Sequence, residues 1–134
     1  MKAITVRQPW AWAIINAGKD IENRNWNTRF RDRVAIHAAK GMTRDEYERG
    51  CETIKELKPR IKIPAFEALE RGEIIGTVEL VDCVQDSRSP WFHGEYGFVL
   101  SRPKKLPEPI PCKGALSFWN VPKHIEARIK RSIK

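Results

Sequence analysis

The stretch RQPWAWAIINAGKDIENRNWNTRFRDRVAIHAAK, residues 7–40, sets the expected fold of this 134-residue chain. Pro9 suits the first turn of a helix, and Gly18 suits the residue just beyond its end. The apolar run between them therefore predicts a short helix. Two strands are expected next, over residues 20–26 and 33–38, joined by a polar, arginine-rich connection.

Lys19, Glu22, Arg24 and Trp26 fall within eight residues of this stretch. Side chains along a strand alternate between its faces. Glu22, Arg24 and Trp26 are therefore expected on one face, with Lys19 just before the start of the strand. Such a face offers charge, hydrogen bonds and a stacking surface together. The alternative is a surface hairpin carrying ion pairs, each worth at most about 1 kcal/mol.

Local signals along the rest of the chain predict further helices and strands. Residues 43–46 form a capping box, and isoleucine recurs at every fourth position from Ile125 to Ile133. The expected elements are a strand over 3–7, a capped helix over 43–57, a shorter helix over 64–72, a long strand over 73–84, a strand over 96–101, a proline-rich extended edge over 103–111 and a final amphipathic helix from Val121. Five or six strands with three or four helices indicate an α+β fold, and the length indicates a single domain, residues 1–134.

The charge of the chain is strongly positive and unevenly distributed. The net charge is +8 and the isoelectric point is near 9.7, which favours anionic partners. Residues 1–40 carry eight Lys or Arg against three Asp or Glu, whereas residues 41–100 carry eight against twelve, so the excess lies towards the ends. This polarity suits a protein that presents one face to a phosphate backbone. The alternative is that the surplus only keeps a small domain soluble.

The cysteines Cys51, Cys83 and Cys112 are widely spaced and form no CxxC motif, so we expect free, reduced thiols. No His/Cys cluster predicts a metal site, and no glycine-rich loop predicts a bound triphosphate, so we expect neither metal nor cofactor. No apolar run approaches the roughly 20 residues of a membrane span, and the N-terminus shows no leader pattern. We therefore expect a cytoplasmic, monomeric protein without a membrane partner.

Several separated blocks of the sequence follow one recognisable order. They are Gln8–Ala11, Gly18–Lys19, the positions Ile21, Glu22, Arg24 and Trp26, the pair Arg31 and Arg33, the strand Ile74–Cys83, and Lys113–Gly114 followed by Trp119. In order and spacing these blocks resemble the ASCH domain, the activating signal cointegrator homology family of the PUA-like superfamily, over nearly the whole chain. The resemblance implies a small mixed β-barrel flanked by helices. It also implies that the signature strand lies along a cleft, which in related domains holds a nucleotide or a modified base.

The resemblance leaves three classes of function open. The first is a module that binds single-stranded or modified RNA, single-stranded DNA or a nucleoside in a basic, aromatic-lined cleft. The second is a metal-independent ribonuclease or an amidohydrolase of acylated cytidine, with Lys19 and Glu22 as catalytic residues and Tyr96 and His93 as less favoured ones. In the amidohydrolase branch a Thr three residues after the Lys is the presumed nucleophile, and here Glu22 stands at that place. The third is a protein-interaction domain.

We expect basic, acidic and aromatic side chains to bind the ligand together. Arg24 would bind a phosphate or a base edge, Glu22 would accept from an exocyclic amine, and Lys19 would hold phosphate. The expected ligand-binding residues are Lys19, Glu22, Arg24, Trp26, Arg31, Arg33, Lys40, Trp91, Lys130 and Arg131. His37 lies between apolar neighbours on a strand and is expected to be structural.

The five tryptophans divide into two groups by their neighbours. Trp26 and Trp91 lie among polar residues and are expected to stack on unpaired bases. Trp10, Trp12 and Trp119 have apolar neighbours and are assigned to the core.

Overall fold

The computed structural model describes residues 1–133. Within them the elements in chain order are β1 (Lys2–Val6), α1 (Trp10–Asn16), β2 (Ile21–Arg24), β3 (Asp32–Ala38), α2 (Arg44–Leu57), a short 3-10 helix (Phe66–Ala68), β4 (Glu73–Val84), β5 (Tyr96–Pro111), β6 (Phe118–Asn120) and α3 (Lys123–Ser132). The strands form one six-stranded sheet in the order β2-β5-β4-β3-β1-β6.

The sheet is mixed and curls into a half-barrel. β1 and β3 run parallel, and every other neighbouring pair is antiparallel. β2 and β6 are its two edges, and we call the gap between them the seam. Side chains bridge the seam, because the Trp26 ring lies 5.0 Å from Phe98 of β5 and 5.5 Å from Phe118 of β6. The predicted α+β class with a small mixed barrel is confirmed.

Alternation along β1 and β3 divides the apolar side chains between two cores. Ile4, Val6 and Ile36 are buried together with side chains of β4, β5 and α1. Ala3 and Ala35 face the opposite side of the sheet, where they pack with the buried isoleucines of α3. Each fully buried aliphatic side chain contributes about 1.5–3 kcal/mol, and a one-residue slip would exchange the two faces. Burial on both faces therefore fixes the register of the sheet.

Gln8 anchors the start of α1. Its side chain is fully buried, its amide group donates to the Glu70 carbonyl at 2.9 Å, and its side-chain oxygen accepts from the Trp12 amide at 2.8 Å. The second bond satisfies one of the free N–H groups at the helix start. A Gln at this position thus joins α1 to the segment that precedes β4.

Three of the predicted elements are confirmed closely. Thr43 and Glu46 form the capping box of α2, since each side chain accepts from the other residue's amide, at 3.1 and 2.9 Å. β4 has the predicted bounds, 73–84. The isoleucine stripe lies on α3, where Ile125 and Ile129 are buried.

The segment 64–72 departs from the prediction of a second, shorter α-helix. Only Phe66–Ala68 is helical, because Leu69 takes an extended conformation and is 4 % exposed. Phe66 docks against the Tyr47 ring of α2 at 5.7 Å. Packing of Phe66 and Leu69 outweighs the helix propensity of the segment.

β5 is longer than predicted and continues through its prolines to Pro111. β2 pairs only with its first four residues, 96–99, whereas the proline-rich half pairs with β4. Proline lacks a donor and is tolerated in a half-strand that pairs on one side. Two of the three register shifts between β4 and β5 fall in this half, which is the extended edge that the sequence predicts.

A chain of hydrogen bonds centred on His37 joins the segment before β6 to β1 and β3. His37 Nε2 lies 2.6 Å from the Cys112 carbonyl, which can only accept, so Nε2 carries the proton and Nδ1 accepts from the Thr5 hydroxyl at 3.1 Å. The Thr5 oxygen in turn accepts from Trp119 Nε1 at 3.1 Å. Burial lowers the pKa of His37, which keeps the ring neutral and supports its expected structural role.

All three cysteines are free thiols, with Cys51 buried. Burial raises the pKa of the Cys51 thiol, which disfavours the reactive thiolate. Within residues 1–133 no group of three or more His, Cys, Asp or Glu side chains is placed to hold a metal ion. None of the helices described is long and apolar enough to cross a membrane.

Candidate functional site

A cleft of about 680 Å³ opens beside the seam. It lies where β1, β2 and the loops before β5 and β6 meet. Its floor is formed by Lys19, Glu22 and Arg24, its walls include Trp10 and Trp91, and its rim includes residues 115–117. We refer to this site as the cleft.

Lys19, Glu22 and Arg24 form a continuous ion network on the floor, which we call the charge triad. Lys19 Nζ lies 3.4 Å from Glu22 Oε1 and also donates to the Ile21 carbonyl. Glu22 Oε2 accepts from Arg24 Nε at 3.0 Å and lies 2.9 Å from Arg24 Nη2. One carboxylate thus bridges two cations, and the triad has a net charge of +1.

The local chain path explains why Lys19 and Glu22 are buried and Arg24 is partly buried. Gly18 adopts a left-handed conformation, with φ of 72°, and turns the chain from α1 into β2. The Lys19 amide then donates to the Ala13 carbonyl, which holds the turn against α1. On β2, Glu22 lies opposite Phe98 of β5 and therefore on the same face as that core residue. The fold places the carboxylate at the end of the barrel interior.

Burial dominates the electrostatics of Lys19, which is 5 % exposed. It lowers the pKa of the ammonium, and attraction to Glu22 opposes that shift. The ammonium also lies 5.9 Å from the centroid of the Trp10 ring, within the range of a cation–π contact. Buried charges are costly unless they are paired, and Glu22 supplies that pairing for Lys19.

Asn23 braces the wall that carries Trp91. Its amide group donates to the Trp91 carbonyl at 2.9 Å, and its side-chain oxygen accepts from the His93 amide at 2.9 Å. Trp91 itself is 6 % exposed and packs against α1 and α2 as well as lining the cleft. Asn23 is not among the site residues predicted from the sequence. Its one local signal is an Asn inside a strand, where that residue is disfavoured.

The structure brings five of the predicted site residues together. Lys19, Glu22, Arg24, Trp91 and His93 all line the cleft.

Two tryptophans have surroundings that their neighbours in the sequence do not indicate. Trp26 lies beyond the end of β2, does not line the cleft, and packs edge-to-face against Phe98 and Phe118. Its ring helps to close the seam, and the stacking of Trp26 on a base stays a prediction. Trp10, assigned to the core, packs against the core on one side and lines the cleft on the other.

The remaining predicted residues lie outside the cleft. Arg33 and Lys130 line a second groove of about 470 Å³ between β3 and α3. Arg31 lies 3.7 Å from Asp82, and Tyr96 pairs opposite Arg24 without lining the cleft. Lys40 and Arg131 are exposed on the surface.

The segment that forms the barrel and the charge triad is also the segment that a known family shares. A model of the ASCH domain matches residues 4–109, which extend from β1 into β5. The chain belongs to the ASCH domain family. Membership supports a general role as a PUA-like, nucleic-acid-binding domain.

Two curated relatives are similar to nearly the whole chain. Activating signal cointegrator 1 of Homo sapiens is 26% identical over 145 residues, covering 97% of this chain and 24% of the relative. The protein of the same name from Mus musculus is 24% identical, with the same coverage of both chains. The chain thus spans about a quarter of the length of these relatives.

Two solved structures share the fold. The ASCH protein of Zymomonas mobilis superposes with a TM-score of 0.52 at 16% identity, covering 97% of this chain and 93% of that one. A tyrosine-to-phenylalanine variant of the Zymomonas mobilis protein superposes with a TM-score of 0.56 at 15% identity, covering 97% and 96%. At this identity the likeness concerns the architecture alone.

Proposed function

We propose that this ASCH domain binds single-stranded RNA by capturing one unpaired nucleotide in the cleft. The observation that carries the proposal is the charge triad, a buried Lys–Glu–Arg network on the floor of a cleft with tryptophan walls. Buried ion networks add little stability compared with apolar packing, so their presence in a concave site favours a binding role.

The volume of the cleft supports a ligand of nucleotide size. About 680 Å³ lies within the range of roughly 300–1,000 Å³ that is typical of small-molecule pockets. Such a space accepts one base with its sugar and phosphate and excludes a nucleic-acid duplex. A strand would therefore present a single nucleotide to the floor.

Each member of the triad offers a different contact to that nucleotide. Lys19 donates to the Ile21 carbonyl and to Glu22, which leaves its third N–H for a phosphate oxygen. Arg24 uses Nε and Nη2 on Glu22 and on the Thr5 carbonyl, which leaves Nη1 for a phosphate or a base edge. Glu22 accepts from both cations and retains lone pairs for an exocyclic amine. Trp10, the more exposed of the two wall tryptophans, provides apolar surface against which a base can pack, at about 1–3 kcal/mol per stacked base.

A hydrolase is the second candidate, favoured by the lowered pKa of Lys19. Burial makes this ammonium easier to deprotonate and hence a better general base. Its position works against that role, because it donates to the Ile21 carbonyl and to Glu22. Position 22 also carries a carboxylate and no hydroxyl, so a metal-independent reaction would need Glu22 to activate a water.

Direct binding measurements test the proposal. The probes are a fluorescein-labelled 12-nucleotide RNA of mixed sequence, the matching DNA, and an uncharged polymer, each titrated at about 50 mM salt. We expect RNA binding that weakens steeply with salt, with a log–log slope of several units because phosphate contacts release counterions. Equal or absent binding across the panel would contradict the proposal.

Two variants locate the binding site and separate binder from enzyme. Lys19→Met should weaken RNA binding by about 10- to 100-fold, as the loss of a charged hydrogen bond does. Lys62→Met is the matched control, because Lys62 is an exposed lysine outside the cleft. Incubation with RNA and with acylated cytidine shows whether product forms. Turnover that disappears in Lys19→Met and in Glu22→Gln, with affinity retained, would favour the hydrolase.

A further inference from the structure

We propose that Leu116 recognises a polynucleotide by packing against the base next to the captured one, and so makes the cleft favour a strand over a free nucleotide. The inference rests on the proposed nucleotide-binding function of the cleft and extends it to a second position of the strand.

Leu116 is the most exposed large apolar side chain among the described residues, at 93% exposure. A single exposed leucine is ordinary on a protein surface, so exposure alone decides nothing. Its location distinguishes it from other exposed side chains, because Leu116 lies at the rim of the cleft between Ala115 and Ser117. Val81, 46% exposed, is also a large apolar side chain at the surface, and it does not line the cleft.

The fold holds this rim residue outward by fixing the chain on both sides of it. Before it, a Cβ on Gly114 would lie 2.7 Å from the Thr5 hydroxyl oxygen, so the backbone there is pressed against the His37 hydrogen-bond chain. After it, Ser117 has φ of 56°, a costly conformation for a residue with a side chain. Phe118 then enters the seam and packs on Phe98 at 5.9 Å. Leu116 is thus presented by a short, anchored loop.

The size of the cleft explains why the rim would meet the next nucleotide. A site that holds one nucleotide obliges the strand to leave through the mouth. The neighbouring base then passes over the rim with one face unstacked. Apolar side chains, leucine among them, pack against the faces of bases where proteins insert between base steps, and an unstacked base offers the same apolar face. Leu116 occupies that position, beside a positively charged floor that holds the adjoining nucleotide.

The test compares a strand with free nucleotides in matched variants. The proteins are the wild type, Leu116→Ser, Leu116→Met and the control Val81→Ser. The probes are the labelled 12-nucleotide RNA and the four nucleoside monophosphates, titrated under the same conditions. Leu116→Ser should weaken RNA binding by about five- to twentyfold, as expected for losing part of the burial of one leucine. Its affinity for the monophosphates should stay within about twofold of the wild type, and Leu116→Met should restore most of the RNA affinity.

The outcomes distinguish this inference from the function on which it rests. If the wild type binds neither RNA nor monophosphates, the proposed function fails and the inference fails with it. If the wild type binds both and Leu116→Ser binds RNA equally well, the inference alone is overturned. A parallel loss of RNA and monophosphate affinity also overturns it, because Leu116 would then contact the captured nucleotide. Equal melting temperatures for Leu116→Ser and Val81→Ser would show that both variants are folded.

Discussion

Replacing Lys19 with Met separates the stability of the domain from the chemistry of the cleft. Lys19 is 5 % exposed, and its ammonium carries a desolvation cost that a thioether of similar length does not. Met retains the packing of the aliphatic stem, and Glu22 keeps Arg24 as its partner, with Nε at 3.0 Å. The complementary change, Glu22→Gln, removes the carboxylate that both cations contact.

The contacts of the triad set the expected magnitudes. Lys19→Met loses the hydrogen bond to the Ile21 carbonyl, worth about 1–3 kcal/mol, and the attraction to Glu22 at 3.4 Å. The substitution also removes the cost of desolvating the ammonium, which is on the order of several kcal/mol. These contributions offset, so we expect a free energy of unfolding within about 1.5 kcal/mol of the wild type. Glu22→Gln leaves two neighbouring cations unpaired and should cost about 2–4 kcal/mol.

Urea denaturation at pH 7.5, with RNA titrations on the same preparations, measures both quantities. A loss of more than about 3 kcal/mol in Lys19→Met would refute the reasoning, because the ammonium would then be a structural necessity. The pH dependence supplies a second check. Since burial lowers the pKa of Lys19 below 10.5, the unfolded chain binds this proton more tightly than the folded protein. Stability of the wild type relative to Lys19→Met should therefore rise as pH increases towards 10.5.

Three further predictions concern the framework around the cleft. Asn23→Ala should lower the free energy of unfolding by about 1–3 kcal/mol and speed amide exchange at 91–93, and unchanged exchange would contradict its bracing role. Burial lowers the pKa of His37, so the unfolded chain takes up a proton before the folded protein does as pH falls below about 6.5. The free energy of unfolding should therefore fall by at most about 1.4 kcal/mol per pH unit between about pH 6.5 and 5.5. This pH dependence should be lost in His37→Gln. Gly114→Ala would place a methyl 2.7 Å from the Thr5 hydroxyl oxygen and should cost about 1–3 kcal/mol in urea denaturation, whereas wild-type stability would show that the loop shifts freely.

Elements with strong local signals could be predicted from the sequence. The capping box of α2 depends on two residues three positions apart, Thr43 and Glu46. The strand over 73–84 and the isoleucine stripe of α3 depend on composition and spacing alone. The interactions that define these elements are made between residues close together in the sequence, so the elements can be predicted from it.

The tryptophans show that the neighbours of a residue in the sequence do not determine its contacts in the fold. Trp26 has polar neighbours in the sequence, but its partners Phe98 and Phe118 lie far along the chain and meet only when the barrel curls. Trp10 has apolar neighbours, yet one side of it borders the cleft because Lys19 lies nearby in space. Asn23 likewise holds a loop 68 residues away. Roles that depend on long-range contacts cannot be derived from the neighbours of a residue.

The position of the charge triad at the seam determines which of its members can report on function. Arg24 Nη2 donates to the Thr5 carbonyl at 2.9 Å, and this bond joins edge strand β2 to β1 near the opposite edge of the sheet. Loss of Arg24 would therefore loosen the half-barrel and remove a ligand contact together, so a drop in affinity could not be assigned to either cause. Lys19 contacts Trp10 of α1 and, at the start of β2, the Ile21 carbonyl and Glu22, and none of these contacts crosses the seam. Its side chain can be changed without opening the seam, and it is consequently the position at which binding and folding can be measured apart.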